Sequence, residues 1–232
     1  MLLTVKDIAK MIDHSLLKPE LTIKDVIEGC NVAKLYDVAA VCVRPCDVKL
    51  AKEQLEGSSI KIAAVIGFPH GSNKTDIKVF EANTAIDEGA TELDMVLNIG
   101  RLRSLDFEYV EHDIRAVTDA AHARNAIVKV ILENCYLTDE LKEQACRIAE
   151  RAGADYVKTS TGYGSGGATL DDVRLMKRTV TQNVRIKAAG GIRTLDALLA
   201  FKKAGVERIG ATATSVIMEE AIRRQNNGTL EY

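Results

Sequence analysis

No stretch of the 232-residue sequence is apolar for the length a membrane span requires, and prolines number only three. A spanning helix is therefore not expected, and no Pro-rich or Ser-rich linker divides the chain. Positive charge is not in excess: 31 Lys and Arg against 33 Asp and Glu leave a formal charge of −2. Without a global positive field the chain is not suited to hold nucleic acid, although a local phosphate site remains open to it. The four histidines, His14, His70, His112 and His122, are scattered without HxH or HExxH spacing, so no metal site is expected. Neither GxGxxG nor GxxxxGK(S/T) occurs, which removes the usual glycine loops for nucleotides. Cys30, Cys42, Cys46, Cys135 and Cys146 form an odd, dispersed set that reads as reduced thiols rather than a disulfide framework. The opening MLLTVKDIAKMIDHS sets Lys6 and Asp7 where a signal peptide needs an apolar core. Together these absences describe a cytoplasmic protein with no nucleic-acid or membrane partner.

What the chain does contain is a regular alternation. Short β-branched runs fall at residues 11–14, 38–44, 60–66, 92–97, 127–133, 156–160, 185–189 and 207–211, with longer helical patterns between them. Eight such units predict a single (β/α)8 TIM barrel with a short N-terminal helix, one domain over 1–232 with 225–232 (QNNGTLEY) as a tail. An open doubly wound sheet is the competing architecture, but it lacks its glycine loop here. Residues 75–88 read as a helix with Ile77, Phe80, Thr84 and Ile86 as its apolar stripe. The phrases DEGATELD, ERAGADYVK and KKAGVERIG repeat one unit: a charged helix end, a glycine cap and the next strand.

Parallel strands covered on both faces should be apolar throughout. Asp94 in ELDMVL, Lys129 and Glu133 in IVKVILE, Lys158 in YVKTST and Lys187 in RIKAAGG break that rule, and are expected to point into the barrel and neutralise one another. An ionic network that merely fills the barrel is one reading. The other is an acid–base apparatus, because this fold places its active site at the C-terminal strand ends. A lysine becomes a nucleophile only when burial or a neighbouring cation favours its neutral form. Lys158 and Lys187 lie on successive strands and meet that condition, with Asp94 as balancing carboxylate, yet periodicity leaves Lys129, Lys158 and Lys187 all open. Glycine-rich segments follow three late strands: TSTGYGSGGAT, AAGGIR with Gly190, Gly191 and Arg193, and RIGATATS. Backbone N–H groups in such turns bind phosphate without a basic patch.

The motifs DHSLLKP, GFPHG, GATELDMVLNIG, VKTSTG and KAAGGIR occur in this order over nearly the whole chain, which resembles the deoxyribose-phosphate aldolase family. The resemblance implies a class I aldolase that needs no cofactor and acts on a small sugar phosphate and an aldehyde. It implies that Lys158 forms the Schiff base, Lys187 perturbs it and Asp94 is the acid–base carboxylate. It also places Asp13 in the polar network around Lys187, Cys42 in the substrate pocket, Thr161 and Gly162 beside the substrate, and Gly190, Gly191 and Gly210 at phosphate-loop positions. Two departures stand out: Tyr163 follows TSTG where some members carry lysine, and Thr212 and Ala213 stand where many carry serine. Some members end in a tyrosine that assists proton transfer, and here Tyr232 is the final residue. Another Schiff-base or transaldolase-like aldolase, a zinc aldolase, and a non-enzymatic sugar-phosphate-binding barrel are the alternatives. A homo-oligomer, dimer or tetramer, is expected.

Overall fold

Threonines that precede the helical patterns act as caps. In the computed structural model, which describes residues 3–231, the hydroxyls of Thr4, Thr22, Thr138, Thr169 and Thr194 each accept a backbone N–H three residues on. Each cap satisfies a donor that the first helical turn leaves free and contributes about 1 kcal/mol. The repeated glycine unit closes as read: Gly89, Gly153 and Gly205 have φ of 119°, 87° and 96°, the left-handed region where a side chain is strained.

The strands are β1 (Ile12–Leu16), β2 (Ala40–Val43), β3 (Lys61–Ile66), β4 (Glu92–Val96), β5 (Ile127–Ile131), β6 (Tyr156–Lys158), β7 (Arg185–Ala189) and β8 (Arg208–Ala211). All pair in parallel and in chain order, and β8 pairs with β1 to close the barrel. The short α1 (Val5–Ala9) precedes β1, and α2 (Ile23–Tyr36), α3 (Val48–Gln54) and α4 (Thr75–Glu88) follow the first three strands. After β4 come α5 (Ile99–Arg103) and α6 (Phe107–His122); α7 (Asp139–Arg151), α8 (Leu170–Thr179), α9 (Leu195–Lys203) and α10 (Thr214–Asn226) complete the outer layer. The last helix takes in Gln225 and Asn226 from the segment read as tail, and Gln225 accepts the Val5 N–H at 2.7 Å, tying α10 to α1. Among the described residues no helix is long and apolar enough to cross a membrane. Tyr232 lies outside the described residues.

The apolar core lies between the strands and the helices, with Leu93, Met95, Val128, Val130 and Val157 all buried there. Of the four residues expected as the α4 stripe, Ile86 packs against the core and the other three face the other way. Ile77 and Phe80 are 52% and 72% exposed and Thr84 is exposed, while Lys78, Ala82 and Ala85 face the barrel. Both sets recur at helical spacing, and the inward one prevails because Lys78 finds a buried partner and the alanines allow close approach. Lys78 Nζ lies 2.5 Å from Asp113 of α6 and donates to the Val96 carbonyl at 2.9 Å, with both side chains fully buried.

Removing one partner strands a buried charge, whereas removing both does not. Lys78→Met is expected to lower unfolding free energy by about 3–5 kcal/mol in urea denaturation. Lys78→Met combined with Asp113→Leu should recover most of that loss; an equally unstable double variant would show that the pair is not the cause.

Candidate active site

Side chains alternate across each strand, so the polar residues at every second position of β1 and β4 to β8 meet inside the barrel. The register sets Asp94 beside Lys129 across β4 and β5, and Lys158 beside Lys187 across β6 and β7. One carboxylate joins them. Asp94 Oδ1 accepts from Lys129 at 2.8 Å, and its Oδ2 accepts from Lys158 and Lys187 at 2.7 Å each. Below this layer Lys129 lies 2.5 Å from Glu92 and 3.6 Å from Asp13. Lys187 donates to Asp13, and Arg208 donates to Asp13 at 2.7 Å and to Glu92 at 2.9 Å. Three carboxylates, Asp13, Glu92 and Asp94, thus face four bases, Lys129, Lys158, Lys187 and Arg208. Neutrality inside the barrel is reached when one base gives up its proton.

Geometry separates the three lysines that periodicity left equal. Among the described residues Lys129 touches three carboxylates and Lys187 two, but Lys158 touches only Asp94. For Lys129 and Lys187 burial opposes the charge, yet the surrounding carboxylates outweigh it and raise both pKa values. Burial lowers the Lys158 pKa; Asp94 resists, and the Lys187 ammonium pushes it further down. Burial also opposes ionisation of Asp94 and Asp13, but in both the neighbouring cations prevail and hold the carboxylate ionised. Lys158 alone among the three lysines lines the open cavity above the network. A buried amine with a depressed pKa that faces a cavity is chemically a nucleophile.

The cavity measures about 280 Å³ and opens at the C-terminal strand ends. Thr161, Gly162, Gly190, Gly191, Arg193, Gly210 and Thr212 line it, whereas Lys187, Asp94, Asp13 and Cys42 lie beneath it, fully buried. Cys42 Sγ sits 3.8 Å from Asp94 Oδ2 and, with Ala63 and Val65, forms a small apolar half of the barrel topped by Leu17 and Phe68. No carboxylate lines the cavity among the described residues; its charged side chains are Lys18, Lys158 and Arg193. The loops after β6 and β7 interlock so closely that a Cβ on Gly167 would stand 2.3 Å from the Gly190 carbonyl oxygen. Ala168 N–H donates to the Ala189 and Gly190 carbonyls at 3.1 Å each, fixing the glycine-rich wall.

Several residues differ from their sequence reading. Glu133 does not point into the barrel network: β5 ends at Ile131, and Glu133 has φ 56°, which turns its buried carboxylate toward the β6 loop. There it accepts the Thr161 N–H at 3.1 Å and the Thr161 hydroxyl. The ladder of β6 stops at Lys158 because the Thr159 side chain takes over, accepting from Ala189 N at 3.1 Å and donating to its carbonyl. Glu92, Arg208 and Lys18 are residues that sequence reasoning missed. Glu92 and Arg208 sit at strand starts, where charge is unremarkable, and Lys18 lies inside the quoted DHSLLKP without any periodicity to mark it.

A family model described as the DeoC/LacD family aldolase matches residues 5–220. The deoxyribose-phosphate aldolase of Thermococcus gammatolerans is 54% identical over 217 residues, covering 93% of this chain and 96% of that protein. That of Thermococcus kodakarensis is 52% identical over 218 residues, covering 93% and 97%. A solved structure described as the unique tetrameric structure of deoxyribose phosphate aldolase from Aeropyrum pernix superimposes with a TM-score of 0.87 at 32% identity, covering 94% of this chain and 92% of that one.

Burial first, and the Asp94 charge second, push the Cys42 thiol up to about 11. Cys46 and Cys135 are exposed. Iodoacetamide at mildly alkaline pH should therefore label Cys46 and Cys135 in the native protein long before Cys42, as read by peptide mass spectrometry. Equal labelling of Cys42 would contradict its buried, protonated state.

Proposed function

This chain belongs to the DeoC/LacD aldolase family and is a lyase, and on that premise we propose that it reversibly cleaves 2-deoxy-D-ribose 5-phosphate to D-glyceraldehyde 3-phosphate and acetaldehyde through a Schiff base on Lys158. The observation that carries this reading is the contrast among three buried lysines. Lys158 alone reaches the cavity, and its pKa falls while those of Lys129 and Lys187 rise.

In the cleavage direction the neutral Lys158 amine adds to the C1 carbonyl of the open-chain sugar, and loss of water leaves an iminium. The C3 hydroxyl gives up its proton, the C2–C3 bond breaks, and its electron pair passes into an enamine as glyceraldehyde 3-phosphate departs. Protonation of the enamine at C2 and addition of water release acetaldehyde and restore the amine. Lys187 stays cationic and keeps the resting amine neutral. Asp94 stabilises the iminium and orders the water that carries the protons, since a carboxylate held so firmly as an anion is a weak base. The small apolar half formed by Cys42, Ala63 and Val65 suits the carbon end of the substrate, and Asp13 holds Lys187 in place. Thr161 and Gly162 border the sugar; Gly190, Gly191, Arg193, Gly210 and Thr212 receive the phosphate in a cavity that Lys18 and Arg193 line and that holds no carboxylate among the described residues. For Tyr232 we propose the proton-transfer role of a terminal tyrosine.

The five cysteines are unpaired thiols, as suits the cytoplasm we assign to the protein. We also propose a homo-oligomer, supported by the exposed Ile77 and Phe80 on α4 and by the tetrameric description of the Aeropyrum pernix relative.

Borohydride reduction with acetaldehyde should add the reduced adduct at Lys158, located by peptide mass spectrometry, and dihydroxyacetone should give little. Undiminished trapping in Lys158→Ala would sink the assignment, and preferential trapping of dihydroxyacetone would favour a different aldolase. In Lys187→Met the cation that disfavours protonated Lys158 is gone, so the Lys158 pKa rises. The limb on which kcat/KM climbs with pH is expected to move to higher pH, with a loss of roughly tenfold or more at neutral pH. A pH profile of unchanged position would count against the role of Lys187.

A further inference from the structure

The loop between β1 and α2 is held at its backbone from two sides. Arg44, just past β2, donates from Nη1 to the Lys18 and Pro19 carbonyls at 3.1 Å each and from Nη2 to the Leu21 carbonyl at 3.1 Å. Its Nε is anchored on Asp47 at 2.6 Å. From the opposite side of the mouth the Tyr163 hydroxyl donates to the Leu17 carbonyl at 2.8 Å, and its ring meets Phe68 edge-on with centroids 5.5 Å apart. Four carbonyls in a short loop are thus occupied by two side chains from the segments that follow β2 and β6. Such pinning is more than a connection from strand to helix requires, and what it fixes is the position of residue 18.

Lys18 is the one ammonium on that loop and lines the cavity beside Leu17 and Tyr163. Its nearest carboxylate, Glu20, is 3.8 Å away and exposed, a contact of little energetic weight that a stronger anion displaces. The loop after β8, the strand that pairs with β1, brings Thr212 to the same cavity, and the loop after β7 brings Gly190, Gly191 and Arg193. An anion held by backbone N–H groups of these loops would lie in the same cavity that Lys18 lines, and Lys158 lies too deep and too far toward neutrality to supply the charge.

We propose that Lys18 is a specificity-determining residue that grips the phosphoryl end of the substrate at the mouth of the barrel, and that Tyr163 and Arg44 are positioning residues that hold its loop. This rests on the sugar-phosphate reading above and adds the group that selects a phosphomonoester dianion over an uncharged sugar. The selectivity is local: a protein of net charge −2 attracts a dianion only where cations are gathered and acids kept away.

The test compares 2-deoxy-D-ribose 5-phosphate with 2-deoxy-D-ribose in the full-length protein, and separately measures inorganic phosphate binding by calorimetry. In Lys18→Met the ratio of kcat/KM for the phosphorylated over the unphosphorylated sugar should fall roughly tenfold, the scale of one charge-assisted contact. Phosphate binding should weaken in parallel, and Lys18→Arg should restore most of both. Tyr163→Phe should lower the ratio in the same direction by less, and should add little to Lys18→Met, since the tyrosine acts through the lysine. An unchanged ratio in Lys18→Met, or phosphate binding equal to that of the parent, overturns the proposal. If the parent cleaves neither sugar but binds phosphate in a Lys18-dependent way, the role of Lys18 stands and the reaction proposed above falls.

Discussion

One carboxylate organises the interior of this barrel. Asp94 receives hydrogen bonds from Lys129, Lys158 and Lys187, and all three side chains are buried. Burying such ions singly is costly, so the arrangement holds only as a closed set in which nearly every charge is answered. The remaining acids, Asp13 and Glu92, are already committed to Lys129, Lys187 and Arg208. Lys158 is consequently the base with the least support, and the proton it sheds brings the interior to balance. Its lowered pKa is a property of the whole set rather than of its own position.

The barrel walls serve this set unequally. On the β2 and β3 side the inward residues are small, Cys42, Ala63 and Val65, which leaves room for the long lysine chains that reach in from β5, β6 and β7. Above the charges the walls change character. Interlocked glycine loops, a buried Glu133 that fastens Thr161, and a β1–α2 loop pinned by Arg44 and Tyr163 shape a cavity free of carboxylates among the described residues. Among the described residues, negative charge is gathered below Lys158 and kept out of the cavity above it.

Much of the architecture was legible in the chain because its signals are local. Eight β-branched runs and glycine at helix ends each act within a few residues, and β7 and α4 begin and end where the pattern sets them. Charges inside strands also announced themselves, since Asp94, Lys129, Lys158 and Lys187 violate the apolar rule for buried parallel strands. Less was legible where a residue's meaning comes from elsewhere in the fold. The α4 stripe of Ile77 and Phe80 has the same spacing as the buried Lys78, Ala82 and Ala85, and only Asp113 on α6 decides which face turns in. Glu133 looked like part of the interior network until β5 ended at Ile131 and the left-handed turn at Glu133 gave it to Thr161. Glu92 and Arg208 were unmarked at strand starts, and Lys18 was an ordinary loop lysine until the cavity formed around it.

The alternation of strands and helices, and the presence of several charges that must be buried together, were determined by the sequence alone. Which of three buried lysines is driven toward neutrality was decided only by tertiary structure. Lys129, Lys158 and Lys187 are chemically the same side chain in similar strands, and they differ in how many carboxylates the closed barrel brings within reach and in whether a cavity opens above them. Those quantities depend on residues far apart in the chain, such as Asp13 and Lys187, whose separation vanishes only when β8 meets β1.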